Sequence, residues 1–200
     1  MDEELRSLTE RLRLESGAPA GYDRLTTTAD LDELAEVLTA PGQPLWAREL
    51  AAFRLGLAGD RRAFEALVLL LNHRDPHRCV SAAHALARLG DPRTGRAAAA
   101  LVTNELRAAY ALHPVRLLVG LRAPEAVPAL ITALERRLRP RDPHRRVALA
   151  CVEGLGALGD ERARRVLTEA LAHPALAEAA VEALALIPTP RTAPGPAEPA

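Results

Sequence analysis

Aromatic side chains are almost missing from this chain: Tyr22, Trp46, Phe53, Phe64 and Tyr110 are the whole set. Valine and isoleucine are scarce too, with 11 Val and 2 Ile against 41 Ala and 35 Leu. Strands draw on aromatic and β-branched residues, so this composition excludes a sheet and implies an all-α chain. Lysine is absent, and all 26 cations are arginine. With so much alanine and 16 prolines, this is the pattern of a high-GC bacterial coding sequence, and the arginine richness reflects codon usage at least as much as phosphate recognition. The only cysteines, Cys79 and Cys151, are 72 residues apart with no CxxC or CxxxH spacing. Nothing in this spacing supports a disulfide framework, and both are read as free thiols acting as small buried apolar groups. No segment approaches the roughly 20 consecutive apolar residues of a membrane span. The start, Met1-Asp2-Glu3-Glu4, is acidic where a secretory signal would be basic. A soluble, cytoplasmic protein is expected.

What is present is a repeat. A fourteen-residue phrase runs from Ala47 to Asp60, returns from Arg78 to Asp91 and again from Val147 to Asp160, each copy an Ala/Leu-rich stripe closing on Gly-Asp. A degenerate fourth copy ends near Leu121-Arg122-Ala123, with Ala123 in the aspartate place, and the spacings become 31, 32 and 37 residues. That period suits two helices per unit. One such pair cannot bury its apolar face alone, so neighbours must stack into a continuous core.

The expected architecture is an α-solenoid of about four helix pairs with capping helices. The pairs fall near 45–58 with 61–71, 77–89 with 93–104, 106–121 with 125–138, and 144–158 with 161–172, followed by a last helix over 175–187. Residues 1–29 read as an N-terminal helix and linker, with Leu5, Leu8 and Leu12 on one side of the helix and Gly17, Pro19 and Gly21 interrupting it. Asp30 followed by Glu33 is a capping-box start for a helix over 31–38. Residues 30–187 form the repeat domain. Five of the last thirteen residues, 188–200, are proline, so this tail is expected to be disordered. Prolines elsewhere mark helix boundaries, except Pro114, which falls inside a first helix and predicts a kink or a split.

The phrase resembles a HEAT repeat, specifically the short bacterial variety named after phycobilisome (PBS) lyases. Arg48-Glu49-Leu50-Ala51-Ala52 through Leu55-Gly56 to Gly59-Asp60 carries the resemblance in the first helix, and Ala123-Pro124-Glu125-Ala126-Val127-Pro128-Ala129-Leu130 in the second. The resemblance implies a right-handed superhelix whose second helices line a concave surface. Members use it to hold proteins, nucleic acid or small prosthetic groups. A similar repeat enzyme, deoxyhypusine hydroxylase, binds iron through His-Glu pairs at the third and fourth places of the phrase. Here those places hold Glu49-Leu50, Val80-Ser81, Leu112-His113 and Leu149-Ala150, so that iron chemistry is set aside, and with no GxSxG, GxxxxGK(S/T) or Rossmann glycine motif in the sequence no catalytic residue, metal or cofactor site is expected.

Charge is the remaining clue. Net charge is zero, yet residues 1–40 carry ten acids and four arginines. Aligned second helices put Arg62, Arg93, Glu125 and Arg162 in one column and Glu65, Arg96, Pro128 and Arg165 in the next. Arg62, Arg93, Arg96, Arg162 and Arg165 therefore make an intermittent basic stripe, the candidate partner-binding residues together with Trp46. Trp46 reads as a staple of the terminal unit or as an exposed partner anchor. The leading reading is a non-enzymatic scaffold or adaptor binding a protein partner, such as an acidic segment, through this concave face. A nucleic-acid groove is the alternative, disfavoured by the neutral total and the lack of stacking aromatics. A lyase or prosthetic-group-handling role comes third.

Overall fold

The computed structural model describes residues 3–17, 19–139 and 141–188. Of the proline-rich tail only Pro188 is among them, so the expectation of disorder there lies outside the described residues. Twelve α-helices and three short 3-10 turns account for the regular structure, with no strand among the described residues. The helices are α1 (Glu3–Ser16), α2 (Pro19–Thr27), α3 (Leu31–Thr39), α4 (Leu45–Leu57), α5 (Phe64–Leu71), α6 (Pro76–Leu89), α7 (Thr94–Thr103), α8 (Leu112–Leu121), α9 (Ala126–Arg137), α10 (Arg145–Leu158), α11 (Arg164–Ala170) and α12 (Ala177–Leu186). No helix among the described residues is long and apolar enough to cross a membrane.

The helices form two rows, giving an all-α solenoid. First helices α4, α6, α8 and α10 stack in order, and α12 continues the row, packing on α10. Each second helix leans on the next first helix: α3 on α4, α5 on α6, α7 on α8, α9 on α10 and α11 on α12. Between the rows lies one apolar seam whose fully buried members include Leu55, Leu67, Leu86, Leu118, Leu130, Leu134, Leu155 and Leu167. Cys79 and Cys151 are free and buried in the same layers. Burial pushes their thiols up, to about 11 and about 12 respectively, so both stay protonated at neutral pH.

The Gly-Asp punctuation turns the chain from one row to the other. Gly90 and Gly159 end α6 and α10 in the left-handed conformation, at φ of 63° and 68°. The aspartate that follows caps the 3-10 turn of the second helix: Asp60 and Asp160 accept from the backbone N–H two residues on, at Arg62 and Arg162, and Asp91 accepts likewise from Arg93. In the third unit, where the phrase degenerates, Arg122 takes the left-handed place at φ 48°. Its guanidinium reaches the carbonyls of Ala157 and Leu158 at the end of α10.

Pro114 produces a split. Residues Glu105–Tyr110 form a 3-10 turn capped by Asn104, and α8 starts afresh at Leu112. Pro114 then sits in the first turn of α8, where a missing N–H costs no intrahelical bond. At the other end, the stretch interrupted by Gly17, Pro19 and Gly21 contains a helix of its own, α2, whose Tyr22 and Leu25 are buried. Proline at the first helical position is compatible with a helix start. Asp30 caps α3 as its spacing predicts, accepting from Asp32 and Glu33 N–H. Glu33 does not return the bond; its carboxylate takes the Thr28 hydroxyl and an ion pair from Arg24 instead.

Small residues set the distance between first helices. A Cβ on Gly156 would lie 2.7 Å from Ala183 Cα, a backbone atom of α12, whereas one on Gly120 would meet nothing within 4 Å. Gly156→Ala should therefore destabilise the protein by about 1–3 kcal/mol through overpacking. Gly120→Ala should stabilise it by up to about 1 kcal/mol through helix propensity. Denaturant unfolding of the two variants checks both signs, and a loss at both positions would contradict the packing account.

Candidate interaction site

The columns aligned from sequence are in register on the second-helix row. Arg62, Arg93, Arg96, Arg162 and Arg165 are all exposed. Leu69 and Ala100, at equivalent positions one turn further along α5 and α7, are exposed as well, Leu69 by 73%. Small, charged and apolar positions thus run across successive units on one open face.

The stripe is not bare positive charge. Arg62 holds Asp60 at 2.6 Å and reaches back to Asp32 of the preceding unit at 2.7 Å. Arg93 repeats the arrangement with Asp91 at 3.0 Å and Glu65 at 3.2 Å, its guanidinium stacked 3.9 Å over the Phe64 ring. Arg165 bridges Glu135 of the preceding unit and Glu169 of its own helix. Each arginine two places beyond the Gly-Asp step is thereby a tie between neighbouring units wherever the previous second helix offers an acid. Hydrogen bonds from Arg62, Arg93 and Arg162 hold the Asp60, Asp91 and Asp160 carboxyls below the usual aspartate range, and the same bonds raise the arginines.

The pattern breaks in two places. Arg162 keeps Asp160 at 2.8 Å but has no acid opposite, because Pro128 occupies that column in the third unit. At the third unit the columns invert: Glu125 stands in the arginine column, and its carboxylate lies so close to Gly95 that a Cβ there would be 2.7 Å from Oε2. Arg96, in the acid column, has no ion pair or hydrogen bond among the described residues and is exposed.

Trp46 is placed elsewhere. It is half-buried in the first turn of α4, against Gly21 of α2, and borders a crevice shared with Leu25, Val37 and Pro44. It joins the N-terminal helices to the array and does not share the arginine face.

A second polar cluster escaped the sequence reading. Glu49 of α4 is fully buried and accepts from Arg78 and Ser81 of α6 and from Arg11 of α1. Arg78 also holds Glu15 of α1 at 2.7 Å, and Arg11 holds the same Glu15 at 2.9 Å. Burial works against ionisation of Glu15, but the hydrogen bonds from Arg78 and Arg11 prevail and keep its carboxyl low. Three helices thus meet at one neutralised knot of charge. The signal was present: Glu49 occupies the third place of the phrase, where other copies have Val80 and Leu149, and Arg78 the first, where they have Ala47 and Val147. Ions in apolar columns mark a partner that packs from outside the repeat.

The histidines do not assemble into a metal site. No group of three or more His, Cys, Asp or Glu among the described residues could hold an ion. His84 stacks on Phe53, with centroids 6.1 Å apart, and the His73 ring nitrogen Nδ1 accepts from the Asp75 N–H at 3.0 Å.

Two rows of antiparallel helices with one repeating Gly-Asp step define the class: a stacked two-helix repeat protein. Residues 147–173, which span α10, its 3-10 turn and α11, match the family model described as PBS lyase HEAT-like repeat. Residues 147–173 are thus similar to a HEAT-like repeat, and the α10–α11 pair they form is the fourth unit of the array. No curated protein matches the chain.

Replacing Glu49 by alanine would leave Arg78 buried without its main counter-charge, and should cost about 3–5 kcal/mol. The double change Glu49→Leu with Arg78→Met, which removes both charges, should cost clearly less than that single change. Equilibrium unfolding of both variants decides it; equal losses would mean that the knot contributes only packing.

Proposed function

We propose that this stacked-helix repeat protein is a non-enzymatic scaffold that holds an acidic segment of a protein partner along its second-helix face. One observation carries the reading: equivalent positions of consecutive second helices stand open to solvent in register, and Arg96 at their middle keeps all of its donors unspent. A guanidinium presents five N–H groups in a planar fork suited to carboxylates. Arg162, with one carboxylate on one edge, offers a second such fork two units away. Leu69 and Ala100 supply the apolar floor beside them. The paired arginines Arg62, Arg93 and Arg165 act mainly as ties between units, which narrows the partner-reading set within the original stripe to Arg96 and Arg162. The two free thiols fit a reducing, cytoplasmic setting.

Arg96→Glu touches no internal contact and should leave stability within about 0.5 kcal/mol of the parent. Crosslinking of the full chain in cells, followed by mass spectrometry, should find a protein joined to α5, α7, α9 or α11. Arg96→Glu should lower its recovery at least about tenfold, the loss of roughly one charge-assisted contact. Undiminished recovery with Arg96→Glu, or crosslinks confined to the other row, would reject the reading. Binding of duplex DNA that falls steeply with salt and depends on Arg96 and Arg162 would replace it with the nucleic-acid alternative.

A further inference from the structure

The outward side of the first-helix row is covered at one end and open beyond it. Over α4 the covering is internal: α1 lies across α4 and α6, and α2 lies on α4. Leu8 and Leu12 of α1 are buried in this contact, while Arg11 and Glu15 match the charges of Glu49 and Arg78 beneath. The outward positions of α4, Glu49, Ala52 and Phe53, are buried, and Gly56, the counterpart of Ala87, is buried against Ala85 of α6 and Leu67 of α5. The corresponding positions of α6 are not: Val80, Ala83 and His84 are half-buried, and Ala87 is exposed.

Between α6 and α8 these residues border an open groove of about 320 Å³. Val80, Ala87 and Gly120 give it an apolar, small-residue floor, and His84, His113 and Arg116 supply its polar wall. No carboxylate lines it, and Arg116 has no ion pair among the described residues. Arg146 stands near enough to add to the positive field at His113, which, with burial acting first, keeps that imidazole below its ordinary value. The groove therefore repeats the shape that α1 fills one unit earlier, with the charge requirement changed. Where α1 brings arginine to meet a buried glutamate, an occupant here must bring a carboxylate to meet Arg116.

We propose that the α6–α8 groove is a docking site for an acidic amphipathic helix of a partner protein, seated beside α1 as the next member of the same outer row. The apolar stripe of that helix, spaced like Leu8 and Leu12, covers the floor, and its acidic side faces Arg116. This surface is separate from the second-helix face and does not depend on the partner assigned there.

The test uses the full chain and three labelled peptides: residues 3–16 with Arg6, Arg11 and Arg13 all replaced by glutamate, the same composition scrambled to destroy the apolar stripe, and the native 3–16 sequence. Fluorescence anisotropy measures affinity, and amide chemical shifts locate the site. The acidic peptide should bind best, shifting α6 and α8. Arg116→Glu and Gly120→Trp, the latter at a position with open space around it, should each weaken it at least about tenfold. Arg96→Glu should leave its affinity unchanged, which separates this site from the second-helix face. No binding, equal binding of the scrambled peptide, shifts centred on α4, or affinity indifferent to Arg116→Glu would each overturn the proposal. So would duplex DNA that competes for the same resonances more tightly than the peptide.

Discussion

Neighbouring first helices in this protein meet almost backbone to backbone, and the rest of the structure depends on that approach. A Cβ on Gly56 would sit 3.0 Å from Ala85 Cβ, and one on Gly154 would be 2.6 Å from Val119 Cγ2. The alanine and glycine content is therefore a geometric requirement of the row. Close approach lets leucines from the second helices reach across the seam and fill it without aromatic bulk. It also fixes the register between units, and register is what brings Arg62 opposite Asp32 and Arg93 opposite Glu65. Such exposed ion pairs contribute little stability individually. Their consequence is positional, since they consume arginines that would otherwise face a partner.

The ends of a stacked array pose a different problem, because the terminal unit has no neighbour on one side. At the N-terminal end the solution is polar as well as apolar. α1 and α2 cover the outer face of α4 with Leu12, Tyr22 and Leu25, and the Arg11–Glu49–Arg78–Glu15 knot ties α1 to two successive units at once. A fully buried glutamate is costly to desolvate, and here three donors from three side chains offset that cost. Removing one partner is then far worse than removing the knot. At the other end α12 meets the row through small apolar residues, with Ala183 against Gly156 of α10, while the Arg164 guanidinium donates to the carbonyls of Ile187 and Pro188.

Fold and pairing were legible because the phrase repeats. Ala/Leu periodicity defined the helices, and Gly-Asp defined the turns, so every pair from α4 to α11 stands where its spacing placed it. The split at Pro114 was half legible, since proline forbids an uninterrupted helix but does not say whether the chain bends or restarts. α2 was missed because Gly17, Pro19 and Gly21 carry the signals of a break, whereas a proline at the first helical position is equally compatible with a helix start. At the candidate site, the columns were readable and their charge state was not. Sequence alignment of second helices places arginines in line, but the acids that neutralise them come from the preceding unit and from the Gly-Asp step itself. Glu49 and Arg78 were readable in hindsight as ions in apolar columns, yet nothing in the phrase says that α1, more than thirty residues upstream of Glu49, supplies their partners.

The central claim is that the N-terminal helices are an integral cap of the array, leaving the outer row open only beyond α6. Native-state hydrogen exchange of the full chain tests it directly. The account predicts that the amides in the middle of α1, around Leu12, are protected to a degree comparable with those of α4 and α6 and lose protection together with them. Free-peptide exchange rates in α1 alongside full protection in α4 would contradict it.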